Sequence, residues 1–257
     1  MQFGDLLSEL RENILRDNAV LASGPNDQLW TDTTLVRYIG EAQNRWAKRT
    51  LCIRDNSTPS ITQVTLATGV ASYDLDPTVL AVISATYGTN TYDMTRVGRA
   101  LLATINIPDP AWFDPTNLTS WTPGPPIAFD TDETISVDTA GAVNLKVYPT
   151  PSANENGTTV YLRVARLPQV APTTSNLSTN CELPADHQLD MLEWAAFLAL
   201  RTSDIDGHSD RAAEHEKRFT EAVAEQMKDV RRKMMAPTRW GFGANGFTWD
   251  NFSDYGY

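Results

Sequence analysis

Apolar residues recur at helical spacing at both ends of this 257-residue chain and at strand spacing between them. That change of period constrains the fold more than any single motif. Near the start, Phe3, Leu6, Leu7, Leu10 and Ile14 form one apolar stripe, with Glu9, Arg11, Glu12 and Arg16 on the polar side of a short helix. The run from Asn18 to Gln28, containing Gly24-Pro25-Asn26-Asp27, breaks it. A second helix opens at Trp30-Thr31-Asp32, where Thr31 or Asp32 can accept a hydrogen bond from an orphan backbone N–H, and continues through Leu35, Tyr38, Ile39, Ala42 and Trp46 to about Leu51. At the other end, Leu183-Pro184-Ala185-Asp186 opens a third helix, Pro suiting the first turn, with Leu189, Leu192, Ala196 and Leu200 along it. Asp204 to His208 closes that helix at a glycine turn, and Ser209 caps a fourth. The fourth carries Ala212, Phe219, Val223, Met227, Val230 and Met234 on one side for about 27 residues, roughly 40 Å, until Pro237 stops it.

Between the helical ends, Ser60–Leu66, Ser72–Leu75, Leu80–Tyr87, Val143–Tyr148 and Thr159–Leu167 have strand composition, punctuated by Pro, Gly, Asn and Asp. They predict a mostly antiparallel sheet or small barrel. A short helix is expected near Val97–Thr104, followed by a Pro-rich loop from Pro108 to Pro126 that is long for a plain connection. The expected architecture is α+β: a helical bundle built from the N- and C-terminal helix pairs (1–54 and 182–236), a β-rich insertion (55–181) and an extended C-terminal tail (237–257). In that tail Trp240, Phe242, Phe247, Trp249, Phe252, Tyr255 and Tyr257 make seven aromatics in 21 residues, with no Leu, Ile or Val. Such a segment cannot build its own core, and large aromatics anchor interfaces, so these seven are candidate contacts to another subunit or a partner protein.

A chain of this length buries roughly 70–75% of the surface its unfolded form exposes. Lys plus Arg is 21 and Asp plus Glu is 32, a formal charge of −11, which argues against affinity obtained by neutralising phosphates. Cys52 and Cys181 are far apart in sequence and form no Cys-x-x-Cys pair, so folding in a reducing cytosol is expected. The first residues run straight into a helix without the pattern of a signal peptide, and no apolar run has the length of a membrane span.

Enzyme signatures fail on context. Gly241-Phe242-Gly243-Ala244-Asn245-Gly246 matches G-x-G-x-x-G but follows no strand and opens no helix. Around Asp204-Ile205-Asp206-Gly207, an EF-hand register would put Thr202 first and Ala213 twelfth, without the leading carboxylate or the bidentate Glu. His187, His208 and His215 lack metal-ligand spacing and read as solvated or helix-capping, and Asp130, Asp132 and Glu133 read as solvated loop. Neither a cofactor nor a metal is expected. Lys228, Arg231, Arg232 and Lys233 complement the negative end of the last helix and are candidate contacts to DNA or an acidic partner.

In order and spacing, several stretches resemble the head-to-tail adaptor, or connector, proteins of tailed bacteriophages, especially short-tailed ones. They are Phe3-Gly4-Asp5-Leu6-Leu7, Trp30-Thr31-Asp32, Tyr38-Ile39-Gly40-Glu41-Ala42-Gln43, Leu145-Lys146-Val147-Tyr148-Pro149-Thr150-Pro151, Glu182-Leu183-Pro184, and the long helix after Asp204-Ile205-Asp206-Gly207. Gly40 departs from the Asn such proteins commonly carry, and the resemblance does not extend to the aromatic tail. The resemblance implies a non-enzymatic virion protein, folded in the host cytoplasm, that forms a ring of twelve copies under the portal protein. It implies a DNA channel through which double-stranded DNA passes without tight binding, and a platform for a tail tube or nozzle protein, with no membrane partner. Two other readings are a tail-associated cell-wall hydrolase, which needs two acids in a cleft, and a surface-binding module using Trp112 and Trp121.

Overall fold

The computed structural model describes residues 1–17, 28–89, 92–97, 122–132, 142–203 and 207–234. Among them run helices α1 (Phe3–Glu9, extended by a π-helical segment, Leu10–Leu15), α2 (Asp32–Thr50), α3 (Pro59–Thr62), α4 (Leu192–Arg201) and α5 (His208–Met234). Nine strands lie between: β1 (Arg54–Asp55), β2 (Gln63–Thr65), β3 (Ser72–Asp74), β4 (Val79–Tyr87), β5 (Tyr92–Asp93), β6 (Thr95–Arg96), β7 (Ala128–Asp132), β8 (Asn144–Tyr148) and β9 (Thr159–Arg166). The fold is mixed α+β, as the periodicity predicts, but the strands form two sheets where one sheet or a small barrel is expected.

The first helix departs from regular α geometry at Leu10. The wider π turn shifts the inward positions, so that Leu10, Arg11 and Leu15 are buried while Ile14 is only half-buried. Arg11, expected on the polar side, turns inward because three acceptors meet it. These are Asp17 Oδ2 at 3.0 Å, Asp32 Oδ1 at 2.7 Å and the Trp30 carbonyl at 3.0 Å. Asp17 also accepts the backbone N–H groups of Leu29 and Trp30. The start of α1 is closed by the segment at 177–181, whose Leu177 and Thr179 carbonyls accept the otherwise orphaned N–H groups of Gly4 and Phe3.

Helix α2 keeps its expected limits: Thr31 accepts from the Thr34 N–H at 3.3 Å, and Leu51 ends the helix with a left-handed φ of 50°. Midway, Gly40 faces Pro172, whose ring atoms would lie 3.3 Å from an added Cβ, so the glycine allows the returning chain to lie close against the helix. The third helix begins later than the sequence predicts. Ala185–His187 is a 3-10 turn, and α-helix starts only at Leu192. Gln188 is buried there and donates from its side chain to the Leu183 carbonyl at 2.6 Å, a local bond that competes with the helical ladder. Leu189 therefore lies in a turn, 49% exposed, instead of joining the apolar stripe. Helix α5 starts at His208 behind Gly207 (φ 82°), which puts Ser209 inside the first turn and not at the cap.

Helices from both chain ends share one apolar core, including Phe3, Leu6, Leu35, Ile39, Trp46, Leu192, Ala196, Leu200 and Phe219. A second core lies between the sheets, with Val82, Ala85, Leu162 and Val164 from one and Phe129, Leu145 and Val147 from the other. The first sheet has the order β1-β9-β4-β5, with β2 also on β9; the second is β3-β8-β7-β6. All pairs are antiparallel except β6 with β7. The expected strand at Ser60–Leu66 is half helix. Asp55 accepts the Ser57 and Thr58 N–H groups and Pro59 takes the first helical position, which turns the chain through α3 before β2. Asp130 and Asp132, read as loop, lie on β7, with Asp130 opposite Lys146. The expected helix after Val97 and the loop up to Trp121 lie outside the described residues, as do Glu133, Asp204, Ile205 and Asp206.

The chain leaves the helical layer through β1 and returns through β9, and these two strands pair: Arg54 opposite Ala165 and Asp55 opposite Val164. At this neck Arg166 donates to Asp55 (2.8 Å) and to Glu182 (2.8 Å), while Glu182 also accepts the Gln169 and Val170 N–H groups. Burial by itself would raise the Asp55 pKa, but hydrogen bonds from Thr58, Ser57 and Arg166 outweigh it and hold the carboxyl far below its ordinary 3.8. A depressed carboxylate contributes stability that is complete above the unfolded value and is lost as pH falls through the folded one. Asp55→Asn is therefore expected to lower unfolding free energy at neutral pH by about 3 kcal/mol. In urea melts across a pH series, the gap to wild type should narrow below pH 3.8; a gap that stays constant down to strong acid contradicts this account.

Candidate interaction surfaces

Two surfaces of the helical layer combine exposed charge with aromatic or apolar side chains. The first is the end of α5. Its inward stripe packs well as far as Val223, with Ala212, Phe219 and Val223 buried, and then leaves the body. Met227 is 39% exposed, Val230 is half-buried, and Lys228 is exposed. Arg231, Arg232 and Lys233 continue the same helix, so the four basic positions fall in its final turns. The tail with Trp240, Phe242, Phe247, Trp249, Phe252, Tyr255 and Tyr257 lies outside the described residues, as do the glycine-rich match at Gly241 and both Trp112 and Trp121.

The second surface lies where α2, α4 and α5 meet. Phe197, Trp194 and Phe219 form a continuous aromatic floor, with ring centroids 4.7 Å apart for Trp194–Phe197 and 5.1 Å for Trp194–Phe219. Arginines lie over it: Arg201 at 5.8 Å from the Phe197 centroid, Arg45 at 3.8 Å from Trp194 and Arg49 at 5.7 Å from Phe219. Arg37 adds a fourth, 5.2 Å from the Tyr38 ring. A guanidinium placed over a ring face is attracted by the ring's negative quadrupole. None of the four joins an ion pair or donates a hydrogen bond among the described residues, and the Arg45 Nε is buried without an acceptor. Burial first, and then the neighbouring Arg49, lower the Arg45 pKa from its ordinary value. The sequence reading missed this row. Arg37, Glu41, Arg45 and Arg49 recur at every fourth position of α2, which places them on one face, but their aromatic partners come mainly from other helices.

The histidines are not the solvated groups the sequence suggests. His215 is buried on α5 and bonds Glu193 Oε2 at 2.5 Å. His187 stacks on Trp46, and His208 stacks on Trp30 while its Nδ1 meets the Ser203 hydroxyl at 2.9 Å. A cleft of about 440 Å³ beside His215 is lined by Asn13, Arg16, Glu193, Arg211 and Arg218 among others. Its carboxylates are engaged, Glu193 with His215 and Glu214 with Arg218. Among the described residues no group of three or more His, Cys, Asp or Glu side chains is placed to hold a metal, and no helix is long and apolar enough to cross a membrane.

A family model described as SU10 adaptor protein matches residues 1–241. The chain belongs to this family of phage adaptor proteins. No curated protein matches the chain. The family match runs through both helical ends and the β-rich middle, and stops at the beginning of the aromatic tail.

The departure of α5 from the body separates two positions on one stripe. Phe219→Ala removes a fully buried ring and should cost about 3–5 kcal/mol of unfolding free energy. Met227→Ala should change it by no more than about 0.5 kcal/mol. Chemical denaturation of the two variants checks both values; a large loss at Met227 would mean that this turn is covered by the chain itself.

Proposed function

We propose that this adaptor is a structural component of the head-to-tail junction of a phage virion, assembling as a ring of twelve copies beneath the portal protein. In this role it extends the DNA channel and offers the attachment platform for a tail tube or nozzle protein. The family match across residues 1–241 carries the reading. On it, the helical ends (1–54 and 182–236) act as one bundle that forms the ring, the β-rich part (55–181) is a second unit directed outward or toward the tail, and residues 237–257 dock on the portal or on an adjacent subunit through their aromatics. Lys228, Arg231, Arg232 and Lys233 would contact DNA or an acidic partner from the end of α5.

The charge supports the conduit role. Each copy carries −11, so an acidic stretch of channel wall repels phosphates and lets DNA pass without capture. Copies joined head to tail present two different surfaces to each other, and such contacts close into a ring when the rotation per copy divides a full turn.

The test is electron imaging of the purified full-length chain alone and mixed with the portal of its phage. Rings on the portal are expected, whether or not the chain is monomeric by itself. A chain that never joins the portal ring overturns the assignment. Removing residues 237–257 should abolish attachment while leaving the melting temperature of the isolated chain unchanged; intact attachment with a lowered melting temperature would instead show that the tail packs on its own body.

A further inference from the structure

Acidic copies that must stand side by side need a local attraction strong enough to overcome their mutual repulsion. The arginine row along α2 and α4 has the right chemistry. Arg37 to Arg49 spans twelve residues of helix, roughly 18 Å, and the three guanidinium groups there, with Arg201 on α4, lie over aromatic rings without an ion pair among the described residues. Two other arginines are used differently: Arg11 and Arg166 each bind two carboxylates of their own chain. Glu41 stands within the row on α2 and Glu216 acts on Arg45, but neither forms an ion pair with the row among the described residues, so the surface is net cationic and its hydrogen-bonding capacity is unused there.

Its complement is on the same chain. Asp5, Glu9 and Glu12 follow one another at spacings of four and three along the first helix and its π-helical extension, on the side away from the buried Leu6, Leu7 and Leu10. Asp5 and Glu12 are exposed and Glu9 is half-buried. Asp5 accepts only the Gln2 N–H and Glu9 only the Asn13 side chain, so no cation neutralises the stripe among the described residues. We propose that the arginine row of one copy docks on the Asp5, Glu9 and Glu12 stripe of the next copy. This rests on the ring reading above and names the surfaces that would make it. The two surfaces are distinct parts of one molecule, so the contact is head-to-tail, the type that propagates around a ring. Guanidinium forks matched to carboxylates supply register as well as attraction. DNA is the poorer occupant, because a row set on an acidic protein approaches phosphates against the field of the whole chain.

The test uses charge exchange in the full-length chain, read as ring formation on the portal. One variant, R49E/R201E, makes the arginine surface acidic; the other, E9R/E12R, makes the acidic stripe basic. Each alone brings like charges together and should reduce ring occupancy at least about tenfold. Mixed in equal amounts, the two variants can alternate around an even-numbered ring with every contact again between opposite charges, and occupancy should return to near wild type. Rescue in the mixture also shows that both variants fold, and thermal melts of each provide a second check. Wild-type occupancy in either single variant, or failure of the mixture to assemble although both variants melt cooperatively, overturns the pairing and leaves the adaptor role standing. Normal rings combined with weaker retention of duplex DNA by R49E/R201E would assign the row to phosphates instead. A wild-type chain that forms no ring overturns both this pairing and the reading beneath it.

Discussion

Arg166 ties together the segments that connect the helices to the sheets. The helices at the two ends of the chain bury their apolar faces in one shared core, so whatever lies between them has to leave that core and come back to it. It leaves on β1 and returns on β9, which pair with each other. Arg166 then binds Asp55 on the outgoing strand and Glu182 on the segment leading to the last two helices. Three charges in a mostly buried place are costly unless each is satisfied. Here they are, because Asp55 takes further hydrogen bonds from Ser57 and Thr58, and Glu182 from two backbone N–H groups. The shared helical core and the two-sheet body can coexist because this junction fixes where the chain crosses between them.

Much of this was legible from period alone. The apolar spacing located α2 almost to the residue and gave the length of α5, and the strand composition of Thr159–Leu167 marked the strand that became the centre of the larger sheet. The failures have physical reasons. The sequence Ala128-Phe129-Asp130-Thr131-Asp132 offers only two apolar residues, and it becomes a strand because β8 lies beside it with Lys146 facing Asp130. Strands β1, β5 and β6 are two residues each, too short to show alternation. The late start of α4 depends on a buried glutamine bonding to a carbonyl, and the inward turn of Arg11 on a π turn that the heptad-like spacing conceals. Of the candidate site, the basic end of α5 was readable and the aromatic tail was conspicuous in composition. The arginine row was not, since an unpaired guanidinium over an indole is a relation between helices that no local pattern records.

Arginine has two uses in this acidic chain. Where it is surrounded by carboxylates, as at Arg11 and Arg166, it fixes the path of the backbone. Where it lies on aromatic rings, as at Arg45, Arg49 and Arg201, the fold holds it in place through the rings and leaves its hydrogen-bonding capacity outward. His215 belongs with the first group: buried against Glu193, it joins α5 to α4. An adaptor needs both kinds, a body of definite shape and surfaces whose charges are left for other molecules.

The paired neck also has a mechanical meaning. Because β1 and β9 are antiparallel and enter the helical layer side by side, a pull on the β-rich part along their axis loads both strands in the same sense. The hydrogen bonds between them then experience little relative sliding, and the tension is divided between two covalent backbones. The β-rich part is thus connected to the helices by a tether of two strands instead of by a single peptide segment.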